Sequence, residues 1–108
     1  METYSGIAAN LQGEIVAYGK GAEEIFGYRK EEVLGKNVGI FHPERAREAL
    51  LPRLFKTAME QGIFEERVTL VRKNGQEFPA LLKVTAVKDA SGNITSLVGV
   101  TKDLSGRR

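Results

Sequence analysis

The C-terminal half of the chain constrains the fold most strongly, because it consists of three apolar, β-branched stretches separated by two turn sequences. The stretches are residues 64–71, 78–87 and 94–102, and the turns are residues 73–75 and 89–93. The first turn contains Asn-Gly, the strongest short-range signal for a β-hairpin. The sequence therefore predicts an antiparallel meander of three strands.

The N-terminal half begins with two more short apolar runs. Between residues 7–9 and 15–18 lies the segment 10–13, a loop with Asn first and Gly last. Such a loop is typical of a hairpin. Together with the meander, these runs predict a five-stranded antiparallel sheet.

Helical spacing of apolar residues follows the second strand. One helix is predicted to end at Gly27 and a shorter one at Gly35, because glycine favours the left-handed conformation that closes helices. The spacing returns over residues 44–61, but Pro52 interrupts it, and a proline inside a helix costs about 3 kcal/mol. We therefore expect irregular chain up to Leu51 and a helix that begins near Pro52.

The order of these elements, two strands, then helices, then a meander, predicts the α+β class with the helices packed on one face of the sheet. Alternation along the strands assigns side chains to the two faces. Four apolar residues fall on the face away from the helices, where an antiparallel sheet usually meets water. This outer-face cluster comprises Leu81, Val87, Val98 and Val100. It indicates an interface with another molecule, and the alternative is scattered surface apolar residues, which are common.

Composition excludes several kinds of chemistry. The chain has no cysteine, so disulfides, thiolate nucleophiles and cysteine-ligated metals are excluded. It has no run of about 18 apolar residues, so no membrane-spanning helix is predicted. Acidic and basic residues interleave, with 16 Lys+Arg against 14 Asp+Glu, unlike a surface that tracks phosphates. We expect a cytoplasmic, non-catalytic domain that contacts neither nucleic acid nor membrane.

Five segments in this order resemble the PAS domain, including its PAC segment. They are residues 10–15, 22–28, 31–37, 72–79 and 99–105. Two positions depart from the family pattern, Asn10 where Asp is usual and Gly19 where Asn is usual. Neither change is expected to break the fold.

The resemblance covers essentially the whole chain and implies a single domain over residues 1–108. Residues 6–62 would form the PAS core, residues 63–105 the PAC meander, and residues 106–108 the start of a linker to an effector domain. The resemblance further implies a sensor or interaction module of a bacterial or archaeal signalling protein, such as a sensor histidine kinase of a two-component system. The partners expected for that role are a second copy of the chain, in a homodimer, and a downstream effector domain.

The last strand ends in a sequence that resembles the coupling motif of the family. Asp103, Leu104 and Ser105 match its Asp-hydrophobic-Thr/Ser pattern. The resemblance implies that these residues pass the signal to the segment that follows.

Flavin and haem each demand particular residues in such a domain. The photoactive LOV type carries a cysteine where Val38 stands, and polar amides where Leu70, Ala80 and Thr101 stand. The chain is therefore not expected to be a photoactive LOV domain. Haem sensors of this fold place a histidine on the long helix, near Leu51.

The single histidine of the chain, His42, precedes the long helix and lies beside Pro43. It is the one candidate metal ligand. We interpret it as an exposed loop residue or as a contact at the start of the helix.

The inner face of the sheet is predicted to be apolar. With residues of the helical region it forms either a plain core or a pocket for a small apolar ligand. The predicted lining comprises Val38, Phe41, Leu54, Leu70, Ala80, Leu82, Gly99 and Thr101. The leading hypothesis is a dimeric signalling module without a cofactor, and the alternative is a sensor that binds haem, flavin or an apolar metabolite.

Overall fold

Residues 4–106 are described by the computed structural model, and they form one antiparallel sheet covered on one side by helices. The strands are β1 (Tyr4–Ala9), β2 (Ile15–Tyr18), β3 (Ile63–Val71), β4 (Glu77–Lys88) and β5 (Ile94–Asp103). The helices are α1 (Lys20–Phe26), α2 (Lys30–Val33), α3 (Glu44–Gln61) and a 3₁₀ helix over Val38–Phe41. The predicted α+β class and five-stranded antiparallel sheet are confirmed. Of the expected linker, residues 107–108 lie outside the described part of the chain.

The strand order is β2-β1-β5-β4-β3, so the last strand of the chain lies in the middle of the sheet. β5 pairs with β1 on one side, where Ile7 faces Gly99, and with β4 on the other, where Val84 faces the same glycine. The N-terminal hairpin and the C-terminal meander therefore share a single sheet. Any displacement of β5 acts on both halves at once.

The core has a part rich in aromatic side chains beneath α1 and a mainly aliphatic part beneath α3. In the aromatic part the ring centroid of Phe26 lies 4.5 Å from that of Phe41 and 5.9 Å from that of Phe78. In the aliphatic part, Leu50 and Leu54 of α3 pack against the sheet. Aromatic pairs at such distances stabilise a core beyond their burial alone.

The expected break before Pro52 is wrong. α3 runs without interruption from Glu44 through Pro52 to Gln61. Pro52 cannot donate a hydrogen bond to the carbonyl of Glu48, but both residues are exposed, so water can satisfy that carbonyl. Leu50 and Leu54, which are buried on either side of the proline, hold both halves of the helix on the sheet.

The N-terminus of α1 approaches the backbone of β1 very closely. A Cβ atom on Gly21 would lie 1.9 Å from the carbonyl oxygen of Tyr4. Only a glycine allows this separation, and the contact fixes where α1 places Ile25 and Phe26 over the sheet. No helix within residues 4–106 has the length and apolar character needed to cross a membrane.

Candidate functional site

A central cavity of about 70 Å³ lies between the sheet, the 3₁₀ helix and α3. The structure places seven of the eight predicted lining residues around it: Val38, Phe41, Leu54, Leu70, Leu82, Gly99 and Thr101. The eighth, Ala80, is fully buried in the aromatic part of the core and does not line the cavity.

The cavity also has lining residues that are not among the eight predicted ones. Ile7 and Ala9 come from β1, Phe26 from α1, and Leu51 and Phe55 from α3. Periodicity assigns such residues to a buried face, but it does not show which of them border a gap rather than a neighbour. His42 also belongs to the wall.

The interpretation of His42 as an exposed loop residue is wrong, because only 5% of its surface is accessible. It joins the 3₁₀ helix to α3, and its carbonyl accepts a hydrogen bond of 3.2 Å from Nε of Arg47 in the first turn of α3. The contact at the start of the helix is thus present. The imidazole Nδ1, however, is buried without any hydrogen-bond partner.

The imidazole of His42 is neutral at pH 7. Burial away from water disfavours the charged form, and the positive charge of Arg47 adds to this effect, so the pKa of His42 falls to about 4. An uncharged imidazole is compatible with the apolar residues around the cavity.

Acidification between pH 7 and pH 5 is expected to destabilise the domain. The unfolded chain binds a proton at His42 near pH 6.5, whereas the folded chain does so only near pH 4. Stability is therefore fully present above the unfolded pKa and is lost as pH falls below it, by about 2 kcal/mol at pH 5. Urea unfolding at both pH values measures this loss. In His42→Gln, whose side chain does not titrate, the difference should largely disappear; an equal loss in this variant would contradict the assignment.

A second cluster holds the end of β5. Arg72, just after β3, donates from Nη2 to Oδ2 of Asp103 at 2.9 Å and to Oγ of Ser105 at 3.2 Å. Ser105 donates from its hydroxyl and its amide to Oδ1 of Asp103, at 2.6 and 2.9 Å. We refer to Arg72, Asp103 and Ser105 as the exit clamp, because they fix the chain where it leaves the sheet.

The exit clamp also reaches the helical layer. Nη1 of Arg72 donates to the carbonyl of Ile25 near the end of α1, at 2.5 Å. The guanidinium lies 3.9 Å from the ring centre of Phe78, an arrangement that is favourable for a cation and an aromatic face. The amide of Leu104 donates to the carbonyl of Pro79 at 2.9 Å. Thus α1, β4 and the exit from β5 meet at one side chain.

Burial and hydrogen bonding have opposite effects on the pKa of Asp103. Desolvation raises the pKa of its carboxyl group, but hydrogen bonds from Ser105 and from the Arg72 guanidinium outweigh it, so the pKa is lowered overall. The carboxylate is therefore charged at neutral pH. The sequence pattern identified Asp103 and Ser105 but not Arg72, because its partner lies 31 residues away.

The outer-face cluster lies, as predicted, on the side of the sheet away from the helices, but the register divides it. Val98 and Val100 of β5 face Ala8 and Gly6 of β1. Leu81 and Val87 lie instead on β4, opposite Lys102 and Ser96. Lys83 and Thr85 separate these two residues along β4.

The apolar surface formed by Val98 and Val100 on β5 continues across β1 onto β2. Ala8 pairs with Ala17, and the neighbouring Val16 is 54% exposed. The apolar area therefore extends from β5 across β1 to β2, further than the meander alone indicated. Its side chains are small, and Ala8, Val16 and Val98 border a shallow depression in this surface.

Comparison with known proteins identifies the class of this fold. A family model described as PAS domain matches residues 5–106. The chain belongs to the PAS domain family.

The chain is also similar to one curated protein and, in its fold, to solved structures. Two-component system protein A of Emericella nidulans is 29% identical over 109 residues, which cover 100% of this chain but only 16% of that protein. The PAS domain of a protein from Colwellia psychrerythraea superposes with a TM-score of 0.91 at 21% identity, over 96% of this chain and 88% of that one. The LOV domain of the Erythrobacter litoralis EL346 blue-light activated histidine kinase superposes with a TM-score of 0.82 at 21% identity. The match covers 95% of this chain and 97% of that one.

The residues around the cavity do not fit a flavin or a haem. Val38 offers no thiol, and Leu70 and Thr101 offer no amide to a flavin ring. Sites for ligands of drug size occupy about 300–1,000 Å³, whereas this cavity is about 70 Å³. His42 lies before α3 rather than on it, and residues 4–106 contain no group of three metal-ligating side chains of the acidic, histidine or cysteine type. The absence of a cofactor stays a prediction, which these observations favour.

Proposed function

We propose that this PAS sensory domain is a non-catalytic, cytoplasmic module that forms a homodimer through its outer-face cluster and acts on an effector domain through the exit clamp. The observation that carries the proposal is the position of Arg72, which joins α1, β4 and the end of β5. A residue with these contacts is suited to convert a shift of the sheet into a shift of the segment beyond Ser105.

The mechanism requires an element with alternative packings, because packed interfaces switch between discrete arrangements. β5 is suited to this role, since Val98 and Val100 lie on its outer face and Asp103 ends it. A change in how two sheets pack would move β5 along or across the partner sheet. The exit clamp would then pass that movement to a following effector, such as a histidine kinase.

The outer face has the character of a surface that self-associates. Val16, Val87 and Val100 are 54%, 38% and 39% exposed. Covering such side chains removes apolar area from water, at about 25 cal/mol per Å². A two-fold arrangement lets this apolar area of one copy cover the same area of its partner.

Val98→Glu is expected to weaken self-association at least about tenfold, because it places a charge at the centre of the covered area, and a tenfold change equals about 1.4 kcal/mol. Sedimentation velocity over a concentration series measures the dissociation constant. Leu81→Glu, on the other half of the cluster, should have a smaller effect. Thr69→Glu is the matched control, since Thr69 is exposed on β3 opposite Pro79 and outside the apolar area.

Circular dichroism should show an unchanged fold in all three variants. A native chain that remains monomeric at millimolar concentration would contradict the dimer. Equal weakening by Thr69→Glu and Val98→Glu would place the interface elsewhere.

A further inference from the structure

The Asn-Gly turn between β3 and β4 has a reactivity that neither the proposed dimer nor the exit clamp uses. Lys73, Asn74 and Gly75 form the loop, and all three are exposed to water. A hydrogen bond closes the loop, because the amide of Arg72 donates to the carbonyl of Gln76 at 2.9 Å. A change in the length of this loop therefore acts directly on Arg72.

We propose that Asn74 is a site of spontaneous modification, at which the side-chain amide is lost as ammonia and part of the chain acquires an isoaspartyl linkage that loosens the exit clamp. This inference goes beyond the proposed function. The modification depends only on the turn, and its effect on the exit clamp does not depend on dimerisation.

The nucleophile is the backbone nitrogen of Gly75. Because this residue has no side chain, the nitrogen is unshielded, and no atom lies within 4 Å of where a Cβ would stand. Its φ of +90° is in the left-handed region, which glycine adopts without strain. The nitrogen donates to the carbonyl of Arg72 at 2.9 Å, so the turn must open before the attack. Exposed turns open locally at little cost in free energy.

The electrophile is Cγ of Asn74. Its carboxamide oxygen, Oδ1, accepts a hydrogen bond of 2.9 Å from the backbone amide of Gln76. That oxygen takes up negative charge when a nucleophile adds to Cγ, and a backbone N–H directed at such an oxygen stabilises the charge. The turn therefore both exposes the side-chain amide and activates it.

The reaction needs only water as a co-reactant. A base removes the amide proton of Gly75, the nitrogen bonds to Cγ of Asn74, and the C=O electron pair moves to Oδ1. That pair returns as the Cγ–Nδ2 bond breaks, and ammonia leaves with the proton, which gives a cyclic succinimide. Water then opens the ring at either carbonyl group. One opening yields aspartate, and the other yields isoaspartate, whose backbone runs through Cγ.

The two products differ in their effect on the exit clamp. Isoaspartate lengthens the backbone of the loop by one carbon atom and so displaces the bond between Arg72 and Gln76 that closes it. Oε1 of Gln76 also accepts a hydrogen bond of 2.9 Å from Nε of Arg72, the side chain that holds Asp103 and Ser105. Aspartate keeps the ordinary backbone, and its carboxylate can still accept the bond from the Gln76 amide. Only isoaspartate therefore loosens the exit clamp.

The first test measures the rate of reaction at each asparagine, by incubation of the purified chain at mildly alkaline pH, proteolysis and mass spectrometry. Asn10 is the matched internal control, because its Oδ1 also accepts a backbone hydrogen bond, from Gln12 at 3.0 Å, but Leu11 follows it. We expect Asn74 to react at least about tenfold faster, since a side chain after the asparagine hinders the attacking nitrogen and glycine has none. Asn74→Gln should abolish the fast reaction. Equal rates at Asn74 and Asn10 would overturn the site.

The second test measures hydrogen exchange in the aged chain and needs no substitution. Modified chains carry one added negative charge, so ion-exchange chromatography separates them, and mass spectrometric fragmentation measures their isoaspartate content. We expect exchange at residues 103–106 to be at least about threefold faster in the isoaspartyl form than in the native chain. Asn74→Asp is the matched control, because it adds the same charge on an ordinary backbone, and its exchange should be unchanged. Unchanged exchange in the isoaspartyl form, or an equal rise in Asn74→Asp, would overturn the effect on the exit clamp.

Discussion

Replacing Gly21 with alanine is expected to lower the free energy of unfolding by about 3 kcal/mol, although the change adds only a methyl group. In an unconstrained helix the same substitution would stabilise by about 1 kcal/mol. The sign reverses because the new Cβ would lie 1.9 Å from the carbonyl oxygen of Tyr4. Neither backbone can yield locally, so α1 must move away from β1.

Urea unfolding of the two proteins measures this difference, and the melting temperature should fall by about 10–20 °C. Gly6→Ala is the control: Gly6 lies on β1 with no atom within 4 Å of the added methyl, so the change should stay within about 0.5 kcal/mol. Equal stability of Gly21→Ala and the native chain would show that α1 does not touch β1 as described.

Gly21 also shows where sequence reasoning reaches its limit. Read along the chain, a glycine near the start of a helix is a weak helix former. Its structural role depends on a strand that lies beneath it and is 17 residues away along the chain, Tyr4 to Gly21. The strands themselves were predictable, because alternation and turn residues are local signals of a pleated, half-buried chain.

The predictions of a helix break before Pro52 and of an exposed His42 were wrong for a related reason. The penalty of a proline is a local quantity, and the packing of Leu50 and Leu54 on either side of Pro52 outweighs it. His42 has no periodic neighbours that indicate burial. It is buried because α3 begins earlier than expected and draws the segment before it into the core. Tertiary contacts thus overrode local preferences at both positions.

Arg72→Leu is expected to destabilise the domain by about 2–3 kcal/mol and to loosen the chain after β5. The substitution removes hydrogen bonds to Asp103, Ser105 and the carbonyl of Ile25. It leaves the Asp103 carboxylate only 22% exposed and without its cation. Removal of one partner of a buried pair costs about 3–5 kcal/mol, and the residual exposure of this pair reduces that figure.

Arg45→Leu is the control for an exposed pair, because Arg45 donates from both Nη atoms to the carboxylate of Glu77 at the surface. The side chains of that pair are 67% and 43% exposed, against 17% and 22% for Arg72 and Asp103. Exposed pairs contribute about 0–1 kcal/mol. A comparable loss in both variants would mean that the exit clamp is no stronger than a surface ion pair.

A double-mutant cycle that combines Arg72→Leu with Asp103→Asn measures the interaction energy between the two side chains. If the two side chains act together, the double variant should be more stable than the sum of the two single losses implies. The native chain should also lose part of this stability below about pH 4. The pKa of Asp103 is lower in the folded chain than its value of 3.8 in the unfolded chain. The charged carboxylate therefore stabilises the fold fully above pH 3.8, and this stabilisation is lost as pH falls through the pKa of the folded state.

Hydrogen exchange then separates a structural role from a coupling role. In Arg72→Leu, exchange should rise at residues 103–106, whereas the strand pairing of β1 with β5 should keep its protection. If exchange rose equally throughout the sheet, Arg72 would act only on global stability. A local rise confined to the exit of β5 is the result that connects the guanidinium to the segment through which the proposed signal leaves the domain.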